Sequence, residues 1–310
     1  MSISNTSKSH NFGDAVATIG TFDGVHIGHQ KIIKKIISVA NSKGLKSVIL
    51  TFFPHPRMVL QPDYDLKLLH TIEEREIMLK SFGLDQLVVK PFTKAFSSLS
   101  ALDYVEQILV MELKVKHVII GYDHHFGKNR SANIDDLKVF GEKFNFEVAE
   151  IPAQDIEEVA VSSTKIRQAL LDGDLQTANS YLGYPFFLTG QVIKGKGLGK
   201  TISFPTANIH IEAKYKLIPK NGVYVVSSEI DSKPVYGMMN IGTNPTVNNQ
   251  NTQSIEVHFF DFDQDLYGKE LVVKMHLRLR DEHKFNSLEQ LKLQLDKDKV
   301  EAKHFIKTHA

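Results

Sequence analysis

The 310-residue chain has no cysteine. That excludes disulfides, thiolate metal sites and cysteine nucleophiles, and it fits a reducing, cytoplasmic compartment. Charge of either sign is not in excess: 37 Lys and Arg stand against 36 Asp and Glu, a net charge of +1. A protein that wraps nucleic acid or coats an anionic membrane needs a basic surplus, so neither is an expected partner. The opening residues, MSISNTSKSHNFGD, lack the apolar core of a secretory signal, and no later run approaches a membrane span. What remains is ordinary for a globular protein, with 42% hydrophobic and 24% charged residues and length enough for two cores. Nothing in it specifies an oligomeric state.

The most informative stretch is Gly20 to His29, GTFDGVHIGH. Ala15 to Gly20 (AVATIG) is a short buried-strand run, and Ile32, Ile33, Ile36, Ile37 and Ala40 recur at helical spacing. His26 and His29 therefore fall at the start of a helix. Unpaired backbone N–H groups and the positive end of the helix dipole attract anions there, and the flanking glycines allow close approach. Gly20, Phe22, Asp23 and Gly24 form the turn that would line such a polyphosphate site.

From Ala15 to about Gly183 strands and helices alternate. Ser47–Phe53, Leu87–Val89, His117–Gly121 and Phe146–Ile151 read as strands. Thr71 and Glu74 form a capping box opening a helix to about Phe82, and further helices run over Ser100–Met111, Ile134–Phe144, Lys165–Leu171 and Leu175–Leu182. Strands without clean alternation, separated by helices, predict an α/β unit with a parallel sheet covered on both faces. Ligands bind such sheets beyond the carboxyl ends of the strands.

After Gly183, Tyr184 and Pro185 six β-type runs follow without intervening helices: Phe187–Ile193, Ala207–Ile211, Val223–Glu229, Val235–Ile241, Ile255–Phe262 and Leu271–Leu279. Turn chemistry such as GTNPTVNN (Gly242–Asn249) separates them, and a last helix covers about Leu288 to Ile306. This pattern predicts a six-stranded antiparallel β-barrel with a C-terminal helix. The expected domains are 1–185 and 186–310.

A second phosphate-type cluster is SSTKIR, where Ser162, Ser163, Thr164, Lys165 and Arg167 stand at a helix start. Arg167, with its fixed fork of donors, is the better clamp for phosphate. A capped helix with a solvated basic turn is the plainer reading of the same residues. Two loops follow strands, TFFPHP (Thr51–Pro56) and GYDHHFGKNR (Gly121–Arg130). Asp123 in the second is expected to contact substrate, and no further ligand cluster supports a metal at His124 and His125. In the second half, KGKGLGKT (Lys194–Thr201) nearly makes a Walker A loop. It lacks glycine at 194, and Pro205 then leads into a strand rather than a helix. Gly195, Gly197 and Gly199, with Lys200, still offer backbone N–H groups and a cation for phosphate. Thr206 and Asn208 offer oxygen ligands on one strand face for Mg²⁺ with ATP. Glu256 lies with His258 and Phe260 on one face of its strand, either as an exposed sheet residue or as the general base of phosphoryl transfer.

The tetrapeptide HIGH resembles the signature of class I aminoacyl-tRNA synthetases and their nucleotidylyltransferase relatives, which implies adenylyl transfer. Taken with TFFPHP, GYDHHFG, SSTKIR, FPTAN (204–208), NGVY (221–224), NIGTNPT (240–246), the run 256–268 and RDEHKF (280–285), nearly the whole chain resembles the bacterial bifunctional riboflavin kinase/FMN adenylyltransferases. That resemblance implies a Rossmann-like nucleotidylyltransferase domain followed by a kinase barrel. It implies phosphorylation of riboflavin to FMN with Glu256 as base, Thr206 and Asn208 holding Mg²⁺, and Arg280 and Phe285 near the flavin. Adenylylation of FMN to FAD would follow, with His26, His29, Ser163, Thr164 and Arg167 on the phosphates of ATP. The implied partners are riboflavin, FMN and ATP.

Three positions depart from the family pattern: Lys200 stands where arginine is usual, and Ser203 and Ala132 where glycine is usual. Lys200 keeps charge without the bidentate fork, and Ser203 would restrict a mobile flap. The rival enzyme is a tRNA synthetase or another small-molecule nucleotidylyltransferase; against the synthetase stand the missing KMSKS signature, the modest length and the absent basic excess. A flavin-binding regulator that has lost catalysis is the rival of another class, and retention of His26, His29, Arg167 and Glu256 speaks against it.

Overall fold

The computed structural model describes residues 13–121, 124–151, 161–195, 199, 202–245 and 251–309. The chain divides into two compact units, Met1–Ser162 and Ser163–Ala310.

The first unit is built on five parallel strands: β1 (Ala15–Ile19), β2 (Lys46–Phe53), β3 (Gln86–Pro91), β4 (Val115–Gly121) and β5 (Glu147–Ile151). They lie in the order β3-β2-β1-β4-β5, so the chain builds outward from β1 to one side and then returns to build outward on the other. The point of reversal lies between β1 and β4, where open α/β sheets form their ligand crevice. The continuous apolar runs follow from two-sided burial. Ala15, Ala17, Val48, Leu50, Val118 and Ile120 pack on one face with Tyr104, Leu109 and Leu137. Val16 and Ile119 pack on the other with Ile36 and Ala40 of helix α1 (Ile27–Lys43).

Helix α2 (Pro56–Leu60) is a short turn, and α3 (Ile72–Ser81) opens on the expected capping box. Thr71 Oγ1 accepts from Glu74 N–H at 3.2 Å, and Glu74 Oε2 accepts from Thr71 N–H at 2.9 Å. One expectation changes in kind. The helix capped by Ser100 is α-helical only over α4 (Ala101–Tyr104) and continues as a π-helical segment, Val105–Glu112. Val105, Ile108 and Leu109 are its buried residues, and Leu113 N–H bonds Ile108 O at 3.0 Å with the i→i+5 spacing. Helix α5 (Ile134–Phe144) completes this unit, with Asn133 capping Asp135 and Asp136 N–H groups.

The second unit begins with α6 (Ser163–Asp172) and α7 (Leu175–Leu182). Six strands follow: β6 (Phe187–Ile193), β7 (Ala207–His210), β8 (Gly222–Ile230), β9 (Lys233–Pro245), β10 (Asn251–Phe259) and β11 (Glu270–Arg280). They close into an antiparallel barrel in the order β10-β7-β6-β11-β8-β9. Alternation along β8 and β9 sorts the packing, while β11 shifts register after Met275. Val223, Val225 and Met238 face the terminal helix α8 (Leu288–His309), through Ala302, Leu295, Phe305 and Ile306. Tyr224, Val226, Met239, Ile241 and Met275 point the other way and are fully buried. Strand β9 runs on past Ile241, where turn residues predicted an end. Its Gly242–Pro245 stretch is paired with Asn251–Ser254 of β10, which carries the hairpin turn further along the chain.

Candidate active sites

In the first unit β1 ends at Ile19, and Gly20 N–H still bonds Leu50 O at 3.0 Å. The chain then turns through three left-handed residues, Phe22 (φ 48°), Gly24 (φ 83°) and Val25 (φ 36°), before α1 begins. Positive φ at a β-branched valine is strained and persists only where surroundings hold it. His26 is the N-cap: its Nδ1 accepts the backbone N–H of His29 at 3.3 Å. The proton of the neutral ring therefore sits on Nε2, which is left as a donor.

The two imidazoles stack, with centroids 3.7 Å apart and planes 18° off parallel, and the Phe22 ring lies 4.9 Å from His29. The two glycines lie close against these rings. A Cβ on Gly20 would meet the Phe22 ring at 2.9 Å, and one on Gly28 would meet the His26 ring at 3.3 Å. Burial lowers the His26 pKa to about 4 against a partial offset from Asp23. Burial, followed by the adjacent His26, holds His29 well below its ordinary value. Both are neutral at pH 7 and can donate N–H bonds. His29 Nδ1 is buried with no hydrogen-bond partner among the described residues.

Asp23, expected to contact a ligand, faces inward. Its Oδ2 accepts Leu69 N–H at 3.0 Å, and its Oδ1 accepts His70 N–H at 3.1 Å and Arg75 Nη2 at 3.4 Å. His55 of TFFPHP is likewise occupied locally, capping α2 by accepting Arg57 N–H at 3.1 Å. Asp123 lies outside the described residues. Ala132, one of the departures, is buried and exchanges both backbone bonds with Phe126 at 3.0 and 3.1 Å, closing the loop after β4. Among the described residues no group of three or more His, Cys, Asp or Glu could hold a metal.

In the second unit α6 begins at Ser163, with Ser162 immediately before it, so Ser163, Thr164 and Lys165 form its first turn. Ile166, Ala169 and Leu170 are its buried side, and Thr164 and Lys165 are exposed.

The barrel gathers a second set. Glu256 on β10 stands opposite Asn208 on β7 and Asn240 on β9. Thr206 Oγ1 donates to Glu256 Oε2 at 3.2 Å. Asn208 lies over Gly195 so closely that a Cβ there would be 2.1 Å from its Nδ2. Gly199 closes against the same segment, its carbonyl accepting Phe204 N–H at 2.8 Å. Gly197 and Lys200 lie outside the described residues. Ser203, the departure from glycine, has φ 66°, a left-handed value that favours glycine.

Two residues beside this set carried no role in the sequence reading. Asn240 flanks Glu256 through strand pairing. His258, two residues along the same face, donates from Nδ1 to Pro205 O at 2.8 Å and braces the segment that carries Thr206. Arg280 is held by α8. It makes bonds of 2.9, 3.0 and 2.7 Å to Asp298, and its guanidinium lies 5.9 Å from the Phe285 ring.

Comparison with known proteins follows the same division. The FAD synthetase family model matches residues 8–165, and the Riboflavin kinase family model matches residues 182–306. A bifunctional riboflavin kinase/FMN adenylyltransferase of Listeria monocytogenes is 40% identical over 291 residues, covering 94% of this chain and 92% of the relative. One of Bacillus subtilis is 38% identical, covering 93% and 91%. A crystal structure from Streptococcus pneumoniae, described as a macrolide-efflux protein, superposes with a TM-score of 0.84 at 34% identity, covering 95% and 96%. The efflux description stays with that protein; among the described residues here no helix is long and apolar enough to cross a membrane.

Proposed function

Because this chain belongs to the family of bifunctional riboflavin kinase/FMN adenylyltransferases, we propose that its residues divide the two reactions between 186–310 and 1–185. The protein makes FAD from riboflavin. It phosphorylates riboflavin to FMN and then adenylylates FMN, releasing pyrophosphate, with ATP consumed in both steps. The cysteine-free composition supports a cytoplasmic place of work.

For the first reaction Glu256 takes the proton of the ribityl 5′-hydroxyl as that oxygen bonds to the γ-phosphorus and the bond to ADP breaks. The Thr206 to Glu256 hydrogen bond of 3.2 Å, next to Asn208, is the observation that carries this reading, because it joins the base to two oxygen donors at one spot. Those donors fit Mg²⁺, a hard ion that takes one or two protein oxygens and completes its shell with phosphates and water. When bound it would neutralise phosphate charge. Gly195 lets the backbone pass under Asn208, and the glycine loop with Gly197, Gly199 and Lys200 is assigned to the nucleotide. Arg280 and Phe285 are assigned to the edge of the flavin site.

For the second reaction an FMN phosphate oxygen bonds to the α-phosphorus of ATP as the bond to pyrophosphate breaks. Negative charge builds on the phosphate oxygens, and neutral donors held in place stabilise it without a covalent enzyme intermediate. His26 Nε2–H and His29 are assigned to that task, with Gly20, Phe22 and Gly24 shaping the turn. Ser162, Ser163, Thr164 and Arg167 are assigned to phosphate, and Asp123 to substrate. Incubation with riboflavin, ATP and Mg²⁺ should yield FMN and FAD, resolved by chromatography. Glu256→Ala should abolish FMN formation and spare FMN conversion to FAD; His29→Ala should do the reverse. Loss of both activities in each folded variant would sink the division of labour.

A further inference from the structure

Arg75 has the largest fully buried side chain of the described residues, at 1% exposure, and it is ionised. It lies in the first turn of α3, where the Thr71 and Glu74 capping box sets the helix start and Arg75 N–H bonds Thr71 O at 3.0 Å. From there its Nη2 reaches Asp23, also 1% exposed, across 52 positions of sequence. The same carboxylate collects the N–H groups of Leu69 and His70, which are buried as well. The segment 69–75 thus clasps one side chain, and that side chain belongs to the left-handed turn Phe22–Val25 that delivers His26 and His29.

A buried ion pair seldom adds stability over well-packed apolar residues, so the charge itself needs a reason. Asp23 anchors the turn as an acceptor, yet an unopposed buried anion beside the two imidazoles would repel a polyphosphate. Among the described residues, the charged and titratable groups that act on His29 include His26, Asp23, Arg75 and His70. Arg75 supplies the balancing cation from within the protein, on a side chain fixed by its own helix.

We propose that Arg75 is a positioning residue for adenylyl transfer: through Asp23 it holds the strained turn and cancels the carboxylate charge behind His26 and His29. This rests on the adenylylation reading given above. Displacing a reacting arrangement by about 1 Å can cost on the order of 100-fold in rate.

The test uses the full chain and measures kcat and KM for FMN adenylylation, riboflavin phosphorylation on the same preparation, and thermal melting. Arg75→Lys keeps the charge and loses the fork. Its adenylylation kcat should fall roughly 10- to 100-fold with KM for ATP within about threefold, while riboflavin phosphorylation is unchanged. Arg75→Gln removes this cation from beside Asp23, and its KM for ATP should rise about tenfold as well. The pair Asp23→Asn with Arg75→Gln removes both charges and should restore that KM while kcat stays low. Asp23→Asn, nearly isosteric, covers the case in which the Arg75 variants do not fold, and its kcat should fall by a similar factor. A kcat per folded molecule within about twofold of the parent would assign Arg75 to stability alone and overturn the proposal. So would an unchanged KM in Arg75→Gln. A parent protein that makes FMN and no FAD would instead refute the adenylylation reading itself.

Discussion

Replacing His26 by asparagine separates its charge from its capping role. Asparagine is a good N-cap, and its side-chain oxygen can accept the His29 N–H that Nδ1 now accepts. The substitution therefore keeps the helix start and removes the titrating ring. In the parent, burial depresses the His26 pKa from 6.5 to about 4, so between those values the unfolded chain binds a proton that the folded chain refuses. Stability is thus lost as pH falls below 6.5, and the loss levels off once pH passes below about 4. From pH 7 to pH 5 the two values imply a loss of about 2 kcal/mol from His26. The full shift amounts to about 3 kcal/mol.

His29 acts in the same direction, and because the adjacent His26 helps to hold its pKa down, the difference between the two proteins reads His26 together with its effect on His29. Urea unfolding followed by circular dichroism at pH 7 and pH 5 reads that difference, with the first unit's transition identified by hydrogen exchange of the α1 amides. His26→Asn should be the less stable protein at pH 7, having lost the stacked ring. Its own loss on going to pH 5 should be smaller than the parent's by about 2 kcal/mol. Parallel pH dependences would refute the claim that His26 is buried in its neutral form, and with it the claim that the site works through neutral donors.

Three further outcomes follow from packing in the second unit. Gly195→Ala would set a methyl group 2.1 Å from Asn208 Nδ2. Asn208 must move, and riboflavin phosphorylation should drop roughly 100-fold with FMN adenylylation untouched, measured by chromatography of the flavins. Arg280→Met strands the 2% exposed Asp298 without its cation, which should cost about 3–5 kcal/mol in thermal unfolding of the barrel. Adding Asp298→Leu should recover much of that loss. Ser203→Gly relieves a left-handed serine at φ 66° and should stabilise by up to about 1 kcal/mol after the larger chain entropy of glycine is counted. A melting temperature below the parent's would refute that reading of the loop.

The parts of the molecule legible in the sequence are those governed by neighbours a few positions apart. Thr71 and Glu74 are three residues apart, and they form the capping box. The isoleucines of α1 repeat with the helical period and bury Ile33 and Ile36. The barrel strands alternate, so their faces could be assigned before their partners were known. Where the local signal competed with pairing, pairing prevailed: Gly242 to Pro245 carry turn-type residues, yet β10 lies alongside and holds them as strand. The π-helical stretch had no local signature, because Val105, Ile108 and Leu109 are also compatible with an α-helical stripe.

Side-chain direction was harder to read than position. Asp23 lies within GTFDGVHIGH, and adjacency to two histidines suggested that it faces the same ligand. The left-handed values at Phe22, Gly24 and Val25 turn it the other way, toward partners as many as 52 positions distant that no local window contains. Arg280, a basic residue in RDEHKF, likewise has a distant partner in Asp298, 18 positions on and almost wholly buried. In both cases a charged residue of a motif bonds an opposite charge that would otherwise be stranded in the interior, and Arg280 does so while lying 5.9 Å from the Phe285 ring. A buried ion left alone costs several kcal/mol, more than a solvated ligand contact at the rim returns. At the start of α1 the side-chain donors are neutral ones, His26 and His29, and they need no buried counterion, which is why the adenylylation proposal is placed on them.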